Sequence, residues 1–238
     1  MNYREQLDKV AGQFLELIKK APNCEEIYTE DFGWENYRYK SDLFRLAHVE
    51  RYGDDKIEVL HVTTFPHKDS PEPIYGFDCI TVDKMVLGCY MDLSPGINQY
   101  PFDDGMEWGD RKPIPEWANV FSDKFIVMKP TSNEEFVEFC DWSVDRYDWY
   151  AYSILERGKK GNEEEIIPIQ NNYCRVQSTN PRTYNVLKAK VGEERAKYFM
   201  EEILFPLVFL DVRVSGWMVK YKKFLKLIVG HPAEKYFK

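Results

Sequence analysis

The sequence predicts an α/β protein of the α+β kind: one single-domain α/β/α sandwich, with a central antiparallel sheet carrying helices on both faces. Three observations predict it. An amphipathic helical repeat opens the chain. A run of about six short segments with two-residue alternation follows, separated by tight turns. Helical periodicity then fills the second half. Strands and helices that segregate along a chain, instead of alternating, build antiparallel sheets covered by helices.

Each element has its own warrant. Leu7, Val10, Phe14, Leu17 and Ile18 recur at three- and four-residue steps, so residues 3–20 are predicted helical, ending at Pro22-Asn23. Residues 26–40 read as a strand pair around Phe32-Gly33. Residues 42–51 and 56–65 form a hairpin turned at Tyr52-Gly53-Asp54-Asp55, and residues 74–82 and 85–91 form a second one turned at Asp83-Lys84. Breakers crowd residues 94–117, which predicts a long loop. A sixth strand is expected over 119–128. Residues 134–156 read as a helix capped by Ser132 or Asn133, with Glu134-Glu135 in its first turn. Residues 159–165 read as a charged loop. Helical segments at 173–177 and 182–190 flank a break at Asn180-Pro181, and residues 193–205 form the last helix, after Gly192.

Composition narrows the function. The 238 residues are 44% hydrophobic and 30% charged, ordinary for one globular domain, while aromatics at 16% are high and suit a large flat ligand as well as a core. The net charge of −8 weighs against nucleic acid as partner. Cysteines at 24, 79, 89, 140 and 174 are odd in number and lack C-x-x-C spacing, which argues against a disulfide framework, a zinc site or an iron–sulfur cluster, and for a reducing cytoplasm. Arg4, Glu5, Asp8 and Lys9 interrupt any signal-peptide run. The longest apolar stretch, Ile203 to Leu210, is too short to cross a bilayer, so no membrane role is expected. Phosphate-binding glycine motifs, a G-x-S-x-G elbow and H-x-x-x-H pairs are absent.

The chemistry gathers on predicted strands. His48 and Glu50 project from one face of one strand because side chains alternate. His61 lies on the next strand and Asp78 on the one after. Two histidines and two carboxylates on adjacent strands form a candidate proton-transfer cluster, since ionisable groups on a sheet are costly to bury.

The order His48-x-Glu50, Leu60-His61, Gly76-x-Asp78 and Asp92-Leu-Ser-Pro95 resembles the ferredoxin-dependent bilin reductases. So does the stretch Tyr173-Cys174-Arg-Val-Gln177, with Asn180, Arg182-Thr183, Gly192-Glu193 and Leu204-Phe205 after it. The likeness covers about residues 8–206. It implies reduction of biliverdin IXα to a phycobilin, phycocyanobilin being favoured. Electrons would arrive singly from reduced ferredoxin and pass through bilin radicals, with no bound metal, flavin or other cofactor. It implies Asp78 as central proton donor, His61 as its partner, Glu50 as donor to the D-ring vinyl group and His48 as orienting residue. Arg111, before Pro113-x-Pro-x-Trp117, and Arg182 would hold propionates, with Asn180 beside the substrate.

One departure stands out. Members of the family often carry Asp after the Asn matching Asn180, and it has been linked with A-ring reduction; here the residue is Pro181. Phycoerythrobilin, dihydrobiliverdin, or a non-catalytic bilin-binding role are the alternatives this opens. A monomer is expected. Lys188, Lys190, Arg195 and Lys197 are the expected basic docking patch for ferredoxin. From Leu207 the chain continues as a basic extension to Lys238, with seven Lys+Arg against two acids.

Overall fold

The computed structural model describes residues 2–83, 85–94, 96–100, 110–111, 113 and 119–209. The chain divides into a unit of residues 1–208 and a second of residues 209–238, so nearly all of the expected basic extension lies outside the described residues.

Helix α1 (Tyr3–Lys19) leads into strands β1 (Glu25–Glu26), β2 (Glu35–Lys40), β3 (Phe44–Gly53), β4 (Ile57–Pro66), β5 (Ile74–Val82) and β6 (Met85–Ser94). Two short strands follow, β7 (Asp110–Arg111) and β8 (Ile126–Lys129). Helix α2 (Asn133–Trp149) runs on as a π-helical segment, Tyr150–Leu155. Then come α3 (Glu163–Ser178), α4 (Pro181–Val191) and α5 (Glu193–Tyr198), the last also running on as π-helix, Phe199–Leu204. The strands form one antiparallel sheet in the order β1-β2-β3-β4-β5-β6-β8-β7.

Strand alternation separates two cores. Ala47, Val49, Leu60, Val62, Tyr75, Phe77, Cys79, Cys89 and Met91 turn to α1 and α2. There Phe14 lies 5.2 Å from Phe77 and 5.5 Å from Tyr147 between ring centroids. Leu46, Phe65 and Ile74 turn to the opposite face, against Tyr173, Leu187, Phe199, Ile203 and Leu204. The α/β/α sandwich is therefore as predicted. All five cysteines are free. Cys79 and Cys89 face each other across β5 and β6 with sulfurs 3.3 Å apart, and burial pushes both thiols up in pKa.

The structure corrects several boundaries. Among the described residues there are eight strands against about six expected, and one of them, β7, lies inside the predicted loop. The strand predicted from 119 begins only at Ile126, since Ser122 bonds to Asp92 and a turn from Phe125 N–H to Ser122 C=O occupies the stretch before it. Of the segment predicted as loop, residues 159–162 are non-helical, but residues 163–165 are the first turn of α3. Asn162 caps that helix by accepting from Glu164 N–H at 3.1 Å, and Glu163, Glu164 and Glu165 complement the positive end of the helix dipole. Pro168 is tolerated within α3.

Two substitutions separate core packing from capping. Phe14→Ala should cost about 3–5 kcal/mol, because its ring is fully buried among aromatics. Ser132→Ala should cost about 1 kcal/mol, because its hydroxyl accepts from Glu135 N–H at the start of α2. Urea midpoints should fall in that order with the slope unchanged.

Candidate active site

The site is a row written by strand register. Asn36, Glu50, His61, Asp78 and Tyr90 are successive partners across β2, β3, β4, β5 and β6. Directly opposed residues share a face, so all five project toward the helices α3–α5. A second row, Arg38, His48, Thr63, Gly76 and Asp92, lies beside it. Gly76 leaves the floor open beneath Tyr173, whose hydroxyl would stand 3.7 Å from a Cβ placed there. Gly88 has a stricter reason: a Cβ there would lie 2.6 Å from the Tyr90 hydroxyl, so glycine makes room for that ring.

His61 Nδ1 lies 2.7 Å from Asp78 Oδ1, and Nε2 lies 2.6 Å from the buried Thr63 hydroxyl. Both ring nitrogens are thus fixed. Burial opposes a charged ring, but the Asp78 carboxylate, reinforced by Glu50, outweighs it and raises the His61 pKa. Glu50 is buried and its carboxyl is pushed from 4.5 to about 7. Desolvation is the chief cause, Asp78 adds to it, and His61 and Trp34 oppose it. Asp78 is 37% exposed in its side chain, which leaves it open to the cavity while His61 is nearly covered.

A cavity covers this row. Its main lobe, about 350 Å³, is lined by Trp34, Glu50, His61, Asp78, Arg182 and Lys190 among others. An adjoining lobe of about 150 Å³ shares His61, Asp78, Tyr90, Gln177 and Arg182 and adds Asp92, Phe121 and Tyr173. This is the size range and mostly apolar lining of a small-molecule site with few converging polar groups. Among the described residues no group of three or more His, Cys, Asp or Glu is arranged to hold a metal ion.

The expected residues separate into those the fold gathers and those it does not. Glu50, His61 and Asp78 come together as a contiguous row. His48 sits one row away, with its ring centroid 6.2 Å from that of His61. It is fully buried, and its Nε2 pairs with Asn36 Oδ1 at 3.1 Å. Burial, then His61 and Arg38, push its pKa well below the ordinary value, so it is a neutral ring beneath the site. Asn180 caps α4 by accepting from Arg182 N–H at 3.1 Å. Pro181 takes the first helical position, where its missing N–H and fixed φ suit a helix start. Arg182 is exposed, lines both lobes, and has no acidic partner within ion-pair distance among the described residues. The side chain of Arg111 lies outside the described residues.

The expected ferredoxin patch is less basic than its spacing suggests. Lys188 pairs with Glu193 at 2.7 Å, Lys190 with Asp54 at 2.7 Å, Arg195 with Glu30 at 3.6 Å and Lys197 with Glu201 at 3.9 Å.

Sequence reasoning missed Asp92, Thr63, Tyr90 and Trp34 as site residues. Asp92 accepts from Ser94 Oγ at 2.7 Å and from Ser122 N–H at 3.1 Å, yet burial still lifts its carboxyl to about 6. Its signal was present in the Asp-Leu-Ser-Pro motif. Thr63, two residues after His61 on the same face, could have been found by the same alternation. Trp34 could not, because it precedes β2 and reaches the cavity only through tertiary packing.

Known proteins resemble this chain in sequence and in fold. The chain matches the family described as ferredoxin-dependent bilin reductase over residues 3–206. It is 24% identical over 184 residues to phycocyanobilin:ferredoxin oxidoreductase of Trichodesmium erythraeum (strain IMS101), covering 72% of this chain and 75% of that one. It is 26% identical over 186 residues to the enzyme of the same name from Gloeobacter violaceus, covering 72% and 73%. Its fold is similar to that of PcyX, with a TM-score of 0.63, 23% identity and coverage of 85% of this chain and 99% of that one. It is also similar to phytochromobilin synthase from tomato, solved in complex with biliverdin, with a TM-score of 0.60, 19% identity and coverage of 84% and 80%. With the family matched across nearly the whole first unit, this chain belongs to the ferredoxin-dependent bilin reductases, enzymes that reduce bilins with electrons from ferredoxin.

Proposed function

We propose that the substrate is biliverdin IXα and that the favoured product is phycocyanobilin, formed by proton delivery from the Glu50–His61–Asp78 row. The observation that carries this reading is that three proton-exchanging groups stand side by side on one cavity floor. The electrons come singly from reduced ferredoxin and are taken up by the bilin itself, with no resident cofactor. The protein then supplies position and protons. Each electron is matched by one proton, and what decides the product is which acid stands beside which ring.

Asp78 is the central donor, because its carboxyl reaches the cavity while His61, held from both sides, can replace its proton. Glu50 is the donor at the D-ring vinyl group. Its carboxyl, lifted to about 7, still holds a proton near neutral pH, as a general acid must. Arg182, at the cavity edge, holds a propionate, together with Arg111. Asn180 acts through the start of α4, which fixes where Arg182 stands. His48 supports the β2–β3 pairing through Asn36.

Pro181 offers no proton, so A-ring reduction draws on the row itself. A product retaining the D-ring vinyl group, phycoerythrobilin or dihydrobiliverdin, would reverse this assignment. Chromatographic identification of the product from biliverdin and reduced ferredoxin decides it. A red shift of bilin absorbance without turnover would mark a non-catalytic binding protein. The monomeric state and cytoplasmic location belong to the same proposal, and light scattering and cell fractionation check them.

Asp78→Asn should retain bilin binding and lower turnover by about 10²–10⁴-fold in single-turnover assays. Arg182→Gln should raise the bilin dissociation constant by about tenfold, the low end for a lost charge-assisted hydrogen bond at an exposed site, with little change in turnover at saturation. This is measured by absorbance titration.

Glu50→Gln should stop D-ring reduction while A-ring chemistry continues. In the wild type that step should fade as pH rises through about 7. The same carboxyl carries a stability signature. Its folded pKa exceeds its unfolded one, so the folded state keeps a proton that the unfolded state has released between 4.5 and about 7. Stability therefore falls across that window, and Glu50→Gln should gain on the wild type from pH 5 to pH 8. The full difference is of order 3 kcal/mol and is read by urea denaturation.

Turnover at limiting ferredoxin should weaken with salt, since steering across about 10 Å is screened at 0.1 M. Because Lys188 and Lys197 are already paired with acids, reversing either charge should raise the half-saturating ferredoxin concentration by only a few-fold.

A further inference from the structure

Trp34 stands at a special place in the cavity wall. The turn before β2 is set by Gly33, whose φ of +89° suits only glycine well, and by Asp31, whose carboxylate accepts from Gly33 N–H at 2.7 Å. The indole is then packed on three sides, edge-to-face with Phe199 and Tyr52 at centroid distances of 5.2 and 5.8 Å and tilted against Phe32 at 5.6 Å. Its carbonyl accepts from Asn36 Nδ2 at 3.2 Å, and Asn36 in turn holds His48. A ring fixed this well has one free function. Among the described residues its buried Nε1–H has no hydrogen-bond partner of ordinary geometry, though it stands near enough to the Glu50 carboxyl to favour that group's charged form. Leaving a buried donor unpaired costs about 1–3 kcal/mol, so the donor should have a partner at some stage of the working cycle.

Register supplies that partner. Asn36 is directly opposite Glu50, so Trp34, two residues earlier on β2's lead-in, is Glu50's diagonal neighbour, and both line the main lobe. Among the described residues, no hydrogen bond of ordinary geometry holds the Glu50 carboxyl, though Trp34 is near enough to favour its charged form. The other charged or titratable groups around Glu50 are His48 and Tyr52 on its own strand, Arg38 on β2, His61 on β4 and Asp78 on β5. From the helical side Arg182 and Lys190 of α4 line the same lobe, and the π-helical segment and its end contribute only Leu204 and Phe205.

We propose that Trp34 is a positioning residue for Glu50: its indole N–H receives the Glu50 carboxylate when the acid gives up its proton, fixing which oxygen faces the bilin. This rests on the reading of Glu50 as D-ring proton donor. In that step the Glu50 O–H bond breaks and a C–H bond forms on the bilin. The electron comes from reduced ferredoxin, and the carboxylate left behind is reprotonated from solvent. An indole N–H can donate but not accept, so it interacts favourably with the carboxylate and not with the acid's own O–H.

The test is Trp34→Phe, which keeps a ring and removes the donor. In protein carrying ¹³C-labelled glutamate carboxyls, the Glu50 resonance is the one lost in Glu50→Gln. Its titration midpoint should rise by at least half a unit in Trp34→Phe, and D-ring reduction should slow at least threefold with bilin affinity retained. Phe199→Leu loosens the same aromatic cluster but leaves the N–H, and should leave the midpoint in place. An unmoved or lowered midpoint in Trp34→Phe overturns the proposal, as does an equal shift in Phe199→Leu. Loss of bilin affinity with an unmoved midpoint would make Trp34 a direct ligand contact instead. The underlying reading fails separately: Glu50→Gln would then give the wild-type product, whatever the Trp34 titration shows.

Discussion

The pairing of β3, β4 and β5 is the constraint on which the rest depends. Glu50, His61 and Asp78 are neighbours only because Leu60 lies opposite Arg51 and Cys79, and Val62 opposite Val49 and Phe77. A slip of one residue would turn the whole row into the other core and bring valines into the cavity. The apolar face prevents it. Val49, Leu60, Val62, Phe77 and Cys79 are all fully buried against α1 and α2, so the packing of one face holds the chemistry of the other in register.

The row also divides its electrostatic work. The Asp78 carboxylate stands 2.7 Å from His61 and raises the pKa of that ring. Glu50, one strand further and, among the described residues, without a hydrogen bond of ordinary geometry, has burial as its main influence, which lifts its carboxyl to about 7. His48 lies one row away as a neutral buried ring, and its Nε2–H donates to Asn36 Oδ1 on β2.

The helical wall brings the remaining groups into place by capping. Thr179 closes α3, Asn180 caps the start of α4, and Pro181 is at home in the first helical position. Pro181 thus fits the backbone of α4 and has no side-chain proton to give. Arg182, one residue on, faces both lobes. Lys190, two turns later, reaches the β3–β4 turn at Asp54 and lies over the Tyr52 ring at 5.1 Å. The cations at the two ends of α4 therefore stand in different situations, one open to a ligand carboxylate and one already paired.

The sequence alone determined the layer order, both hairpins and the placing of Glu50, His61 and Asp78 on adjacent strands. Period-two alternation and turn residues are local signals, and they survive folding wherever one strand face is buried. Local signals failed at α3, where part of a charge run read as loop begins a helix that continues through Pro168, and at residues 119–125, where the Asp92–Ser122 bonds replace a strand. Only the tertiary structure decided that His48 lies outside the proton row, that Lys190 and Arg195 are paired with Asp54 and Glu30, and that Trp34 closes the cavity beside Glu50. Each of these depends on which side chain arrives from a distant element, and on how far burial then shifts a proton. Neither is encoded in the spacing of residues along one segment.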